Sequence, residues 1–160
     1  MGTDEPIRYG GSLAFLLSQI GVQAADLFAD RLEPHGVTPR QFAVLSHLAH
    51  AGPCSQQKLA DLLGIHRNNM VDLIDRMEQA GLVERVRDQA DRRAFEIHPT
   101  PRGSRAVKAI NAIVPDLDEQ LAGHLTAEER NALIDRLRNI ADRLDLDAAV
   151  HPSVTGRRRA

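Results

Sequence analysis

Two short segments with a helical pattern, residues 55–63 and 67–80, follow each other with only a tight turn at Gly64 between them. Ser55 stands where a hydroxyl caps the first helix, and Gly81 stands just past the second, where a left-handed residue commonly ends a helix. Two helices joined by so short a glycine-containing turn cross each other as a helix-turn-helix. This pair restricts the fold more than any other feature of the chain.

The spacing of apolar residues changes directly after this pair. Residues 82–86 and 95–98 are short apolar runs, and we predict that they form two strands. The loop between them is strongly charged and contains Asp88, Asp91, Arg92 and Arg93. A β-hairpin directly after a helix-turn-helix forms a wing, so residues 37–100 are predicted to be a winged helix-turn-helix domain.

Longer helices are predicted on both sides of this domain. Between Leu13 and Leu32 apolar residues recur at steps of three and four, which marks one face of a helix that ends before Pro34. Thr38 and Gln41 then form the pattern of a capping box at the start of the second helix.

After the hairpin, Thr100 and Pro101 start a fifth helix, in which Pro115 is expected to cause a kink or a break. Thr126 and Glu129 open a sixth helix with another capping box. Its apolar positions alternate by four and three, as in a coiled coil, at Leu133, Leu137, Ile140 and Leu144. The first and last helices could therefore bury their apolar stripes against a second chain.

The predicted fold is mainly α with a small β-hairpin wing, that is, a winged helix-turn-helix head with dimerisation helices at both ends. Residues 1–36 form an N-terminal arm and dimerisation helix, and residues 37–100 form the head. Residues 101–147 supply the C-terminal dimerisation helices, and residues 148–160 form a flexible basic tail.

Composition excludes several classes of protein. No apolar run approaches the roughly 20 residues that a membrane span requires, so no membrane partner is expected. The first residues lack the pattern of a secretory signal, and the single Cys54 cannot form an intrachain disulfide, which favours the cytoplasm. The net charge of −2 argues against indiscriminate nucleic-acid binding, but positive charge is concentrated locally at Arg85, Arg87, Arg92 and Arg93.

No catalytic or metal-binding pattern stands out. The chain has no nucleophile elbow, phosphate loop or paired catalytic carboxylates, so we do not expect an enzyme. His47 and His50 lie three residues apart on one predicted helix, yet no further ligand stands at an adjacent spacing. The sequence therefore predicts neither a metal site nor a cofactor.

The order of elements and several local strings resemble the MarR family of bacterial winged-helix regulators. The resemblance is most specific over residues 59–103, LADLLGIHRNNMVDLIDRMEQAGLVERVRDQADRRAFEIHPTPRG. It includes Asp91-Arg92-Arg93 before a strand and then Thr100 and Gly103. The resemblance implies a homodimer that binds a pseudopalindromic operator in double-stranded DNA. It further implies a repressor that leaves DNA on binding a small, often aromatic acidic, effector.

The start of the second helix of the pair has the chemistry needed to read bases. It offers His66, Arg67, Asn68 and Asn69. Asparagine can bridge N6 and N7 of adenine, and arginine can grip O6 and N7 of guanine. Arg76, two turns on, is expected at a phosphate. Family members usually have Ser or Thr where His66 stands, and since imidazole is a poorer cap, this helix start is the weakest point of the pattern.

The charged hairpin tip is narrow enough for the minor groove, whose negative potential favours a guanidinium. Arg93 takes the position that the family inserts, Asp91 can orient it through a charge-assisted hydrogen bond, and Arg92 can contact phosphate. Ser55 and Gln56 are mainly helix-start residues, and family members often also use this helix start at phosphate.

Other interpretations remain open at this stage. An effector pocket between the dimer helices and the head would use Phe15, Phe42, His47 and His50, or these residues could simply be core. Cys54 could sense oxidants if its pKa were depressed and its thiol accessible, although an incidental thiol is the simpler interpretation. A winged-helix module that binds protein instead of DNA would have wing arginines neutralised by nearby carboxylates and no salt-dependent DNA binding.

Overall fold

The computed structural model describes residues 9–88 and 94–146, and it confirms the predicted fold class, with a small antiparallel sheet among helices. Short 3₁₀ turns lie at Tyr9–Gly11 and Glu33–His35. The α-helices in the described ranges are α1 (Leu13–Leu32), α2 (Pro39–Ala51), α3 (Gln56–Leu62), α4 (Arg67–Gln79), α5 (Pro101–Ala122) and α6 (Ala127–Arg143).

Hydroxyl caps start most of these helices, as the sequence predicts. Thr38 accepts a hydrogen bond from the Gln41 N–H at 3.3 Å, and the Gln41 side chain accepts one from the Thr38 N–H at 2.8 Å. The same reciprocal capping box joins Thr126 and Glu129, where the hydrogen bond from the Thr126 N–H lowers the pKa of the Glu129 carboxyl. Side-chain caps also come from Ser12, Ser55 and Thr100. Capping satisfies N–H groups that the helix itself leaves without a partner.

The sheet has one strand more than the sequence suggests. Strands β2 (Val83–Arg87) and β3 (Phe95–Pro99) form the predicted hairpin, and β1 (Cys54–Ser55) pairs with the other edge of β3. The strand order is β1-β3-β2. A two-residue strand shows no alternation of its own, and it forms because β3 offers an open edge.

The core lies between the helix-turn-helix, the sheet, α2 and the first half of α5. Fully buried side chains from these elements include Leu45, Leu48, Leu59, Met70, Ile74, Leu82, Ile97 and Ile110. Leu62, which the apolar pattern of α3 places inward beside Leu59 and Leu63, is instead 43% exposed. A helix of seven residues buries only a narrow arc of its surface, and Leu62 falls outside that arc.

Pro115 does not break α5, because one helix continues through it to Ala122. Of the two expected outcomes at this proline, a kink or a break, the break is therefore wrong. Pro115 and Asn111, whose carbonyl loses its intrahelical partner, are both exposed, so water can satisfy that carbonyl.

The end of α4 is joined tightly to the start of α5. α4 ends in a Schellman motif, in which Gly81 has a φ of 67° and the Leu82 N–H reaches the Met77 carbonyl at 2.8 Å. The Thr100 hydroxyl donates to the Gly81 carbonyl at 2.6 Å, and Arg102 donates to the Ala80 carbonyl at 2.7 Å. The junction therefore fixes the direction in which α5 leaves the head.

Gly103→Ala is expected to destabilise the fold by about 2–4 kcal/mol, because overpacking against backbone cannot be relieved by a rotamer change. A Cβ at this position would lie 2.1 Å from the Leu82 carbonyl oxygen. Urea denaturation of the purified protein measures the change. The matched control is Gly21→Ala in α1, where a Cβ would meet nothing within 4 Å and where alanine should stabilise the helix slightly. A Gly103→Ala protein as stable as the wild type would contradict this role of the junction.

Candidate nucleic-acid interface

The first turn of α4 presents a continuous polar surface. His66, Arg67, Asn68 and Asn69 are all exposed, whereas Met70 has no exposed surface. Nδ1 of His66 accepts a hydrogen bond from the Asn68 N–H at 3.3 Å, so the imidazole does cap the helix despite its poorer propensity. The structure thus brings together the side chains to which the sequence assigns base recognition, at the positive end of a helix dipole.

Arg76 lies further along the same helix and lines a groove of about 580 Å³ between α4 and the start of α2. Arg40, Asn69 and Asp72 line the same groove. Sequence reasoning did not single out Arg40, because it lies 27 positions before Arg67 and only the fold brings it beside α4. The groove adds positive charge next to the polar first turn.

Arg85, which the sequence places among the positive charges of the wing, is committed to contacts within the head. Its guanidinium forms ion pairs with Asp75 and Glu78 of α4, each at 2.5 Å, and donates to Oε1 of Gln56 at 3.1 Å. Partial burial works to lower the pKa of Arg85, but hydrogen bonds and charge from Asp75 and Glu78 outweigh it, so the pKa lies above its ordinary value. Gln56 is therefore occupied by Arg85, while Ser55 caps α3 at Lys58.

The base of the wing is described, but its tip is not. Arg87 lies over the ring of Phe95, with 5.7 Å between the guanidinium carbon and the ring centroid, and the Asp88 N–H donates to the Ala94 carbonyl at 3.0 Å. Asp91, Arg92 and Arg93 lie outside the described residues. Their assigned roles in the minor groove stay predictions.

Of the residues suggested for an effector pocket, Phe15 lines a groove whose described lining does not include Phe42, His47 or His50. This groove has a volume of about 900 Å³ and is lined by residues of α1, α5, α6 and the α5–α6 connection, among them Gln23, His124 and Arg130. Phe42 packs edge-to-face on Phe28, with ring centroids 5.5 Å apart, at the border of the core. His47 is half-buried and His50 is exposed, both on α2. No group of three or more potential metal ligands occurs within residues 9–88 and 94–146.

Cys54 is a buried residue of β1. Burial raises the pKa of its thiol, nearby Lys58 lowers it, and Glu96 raises it further, with a net shift upward. A raised pKa leaves less thiolate at neutral pH, which is the opposite of what a redox sensor requires.

Two helix faces of the single chain remain largely apolar and exposed. Leu13, Leu16 and Ile20 are exposed on α1. On α6, which is described throughout, no residue is buried, and Leu133 and Leu137 are 42% and 39% exposed. Contiguous exposed apolar side chains are typical of surfaces that bind another protein or a ligand. Within the described ranges, no helix is long and apolar enough to cross a membrane.

These features define a winged-helix DNA-binding protein: an exposed polar first turn on α4, a hairpin directly after α4, and flanking helices with apolar faces. Residues 35–94 match the model of the MarR family. The chain is 30% identical over 131 residues, 81% of its own length and 79% of the relative's, to a putative transcriptional regulatory protein for the hcr operon of Thauera aromatica. This chain therefore belongs to the MarR family of winged-helix transcriptional regulators.

Solved structures agree with that assignment. The transcriptional repressor CouR bound to a 23-mer DNA duplex has a TM-score of 0.68 at 31% identity, over 81% of this chain and 92% of that chain. BpsR of Bordetella bronchiseptica, whose DNA binding is described as regulated by 6-hydroxynicotinic acid, has a TM-score of 0.69 at 25% identity. That match covers 86% of this chain and 99% of the other.

The thiol of Cys54 should alkylate more slowly in the folded protein than in urea, and its pH profile should lie at higher pH, because the folded state raises its pKa. Iodoacetamide labelling followed by intact-mass spectrometry measures both. Labelling in the native protein that is as fast as in urea at every pH would favour the redox-sensing alternative. The same protein in urea serves as its own control.

Proposed function

We propose that this protein is a homodimeric, sequence-specific DNA-binding regulator that works as a cytoplasmic repressor and is released from its operator by a small effector. Residues 37–100 act as the reading head, and residues 1–36 and 101–147 hold two copies together. The operator is a pseudopalindrome, since a two-fold dimer presents two identical heads. No enzymatic step enters this function.

The observation that carries the proposal is the exposed first turn of α4. Asn68 and Asn69 supply amide groups for adenine, and Arg67 supplies a guanidinium for guanine or phosphate. His66 stands at the cap beside them, and Arg76 contacts phosphate from the adjacent groove, whereas Ser55 and Gln56 serve mainly to cap α3 and to hold Arg85. From the undescribed tip of the wing, Arg93 enters the minor groove, oriented by Asp91, and Arg92 contacts phosphate.

Dimerisation follows from the exposed apolar faces of α1 and α6. Burying a fully exposed leucine side chain contributes about 1.5–3 kcal/mol, and burying the exposed parts of several apolar side chains from each copy offsets the entropy lost on association. The groove beside Phe15 opens on the same face, with Leu133 and Leu137 among its lining residues. A second copy therefore closes this groove as well as burying the stripe.

An effector with an aromatic ring and an acid group fits this groove chemically. Its lining is mainly apolar, with Phe15 for ring contact and with Arg130 and His124 as potential donors to a carboxylate. Asp118 also lines it, and one terminal nitrogen of Arg130 is paired with Glu119 at 2.9 Å. Nε of Arg130 is buried and has no hydrogen-bond partner among the described residues. The relative BpsR is regulated by an aromatic acid, which supports this class of ligand. A ligand of this kind should raise the melting temperature of the native dimer.

Asp75 and Glu78 neutralise the charge of Arg85, as expected of a winged helix that binds protein instead of DNA. DNA binding therefore has to be measured directly. Asn68→Ala and Asn69→Ala should each weaken binding to a duplex selected from a random pool by about 1–3 kcal/mol without lowering stability. Fluorescence anisotropy measures the affinity. Gln79→Ala, at the opposite, exposed end of α4, is the control and should bind as the wild type does. If the wild type selects no sequence even at low salt, the DNA-binding proposal fails.

The dimer proposal is tested on α6. Leu133→Glu together with Leu137→Glu should convert the protein to a monomer of 17.6 kDa, because two carboxylates cannot be buried in an apolar interface without partners. Sedimentation equilibrium measures the mass. Leu62→Glu is matched for exposure but lies on α3, away from the stripe, and should leave the dimer intact. A double variant that still sediments as a dimer would refute this interface.

A further inference from the structure

We propose that Arg85 is a positioning residue for DNA binding, which sets the angle between the wing and the recognition helix α4 and does not itself touch DNA. This inference rests on the proposed function. It concerns a residue that the sequence groups with the wing's positive charges. Three different elements of the head meet at its guanidinium.

Arg85 is held both through its guanidinium group and through its backbone N–H. One guanidinium nitrogen pairs with Glu78 at 2.5 Å, and the other pairs with Asp75 at 2.5 Å and with Gln56 at 3.1 Å. The Arg85 N–H donates to the second carboxylate oxygen of Glu78 at 3.2 Å. Since β2 is an edge strand, Glu78 also satisfies a backbone donor that the sheet leaves open.

Arg85 lies close to the point where the three-stranded part of the sheet ends, so its contacts fix the base of the wing. Ile97 of β3 pairs with Arg85 on one side and with Cys54 of β1 on the other, and the next row, at Glu96, is the last that contains all three strands. Beyond it, Phe95 pairs with Arg87 alone. The wing therefore leaves the body of the protein as a two-stranded ribbon, which has little stability by itself.

A two-stranded ribbon keeps a defined direction only if its base is fixed. Arg85 projects from the same face of β2 as the buried Val83, toward the helices, and its side chain is 25% exposed. A forked guanidinium held by two carboxylates restrains rotation as well as distance. Arg87 on Phe95 adds a further cross-strand contact one residue pair closer to the tip.

The same contacts argue against a direct role at phosphate. Both terminal nitrogens of Arg85 are engaged by carboxylates, and the two negative charges of Asp75 and Glu78 exceed its single positive charge. A phosphate approaching this guanidinium would meet a net negative cluster. Arg85 acts on DNA affinity only by placing residues that do contact DNA.

Arg85→Lys in the full-length protein tests the proposal, because lysine keeps the charge but cannot bridge both carboxylates and Gln56. Affinity for the selected duplex should fall by about tenfold, while affinity for a scrambled duplex changes less than about twofold and the salt dependence keeps its slope. Arg105→Lys, at an exposed position of α5, is the matched control and should leave both affinities unchanged. Asp75→Asn should act in the same direction, and combining it with Arg85→Lys should cost less than the sum of the two.

Hydrogen exchange supplies a readout that does not depend on DNA. In Arg85→Lys, amides of residues 83–87 and 95–98 should exchange faster, while those of α5 keep their wild-type rates and the melting temperature shows that the protein is folded. Unchanged exchange in the hairpin would overturn the positioning role. Arg85→Gln removes the charge, and an equal loss of affinity for both duplexes in that variant, with a salt slope reduced by about one, would overturn the positioning role in favour of a phosphate contact.

The outcomes separate this inference from the proposed function. A wild-type protein that selects no duplex refutes DNA reading, and the exchange measurement then decides by itself whether Arg85 holds the wing. The other case is a wild-type protein that does select a duplex. If Arg85→Lys then binds this duplex within twofold of wild type, the proposed function stands and the role of Arg85 is refuted.

Discussion

The buried face of α4 is the constraint on which the reading head depends. Met70, Ile74 and Met77 recur at steps of four and three and have no exposed surface. Burial of each contributes about 1.5–3 kcal/mol, so rotation of the helix about its axis would lose several such contributions at once. Because this packing fixes the rotation of α4, residues 66–69 face solvent as a consequence of apolar residues that never touch DNA.

Local chemistry explains why so much of this arrangement is visible in the sequence. A capping hydroxyl accepts a hydrogen bond from an N–H only three residues away. Thr38, Ser55 and Thr126 therefore each indicate a helix start from the local sequence alone. The same is true of Gly81, whose positive φ ends α4. The change from helical to alternating spacing after Gly81 is likewise local, and it predicts the hairpin within one residue at each end.

Features that depend on distant partners could not be predicted in this way. Strand β1 exists only because Ile97, more than forty positions later, offers it an edge. Arg85 was counted as available charge, since its partners lie 7, 10 and 29 positions away and are indistinguishable in the sequence from other polar residues. The outcome at Pro115 depends on solvent access to the freed carbonyl, which is also a property of the folded surface.

The resulting charge distribution shows how a chain with a net charge of −2 can present a surface suited to a polyanion. Arg67 and the positive end of the helix dipole lie at the start of α4, with Arg40 and Arg76 along the adjacent groove. Asp75 and Glu78 lie in its second half, where the negative end of the dipole disfavours carboxylates, and Arg85 offsets one of their two charges. The charge therefore changes from positive at the start of α4 to net negative around Arg85. This gradient favours approach of a phosphate backbone to the first turn, so attraction and orientation arise from the same few residues.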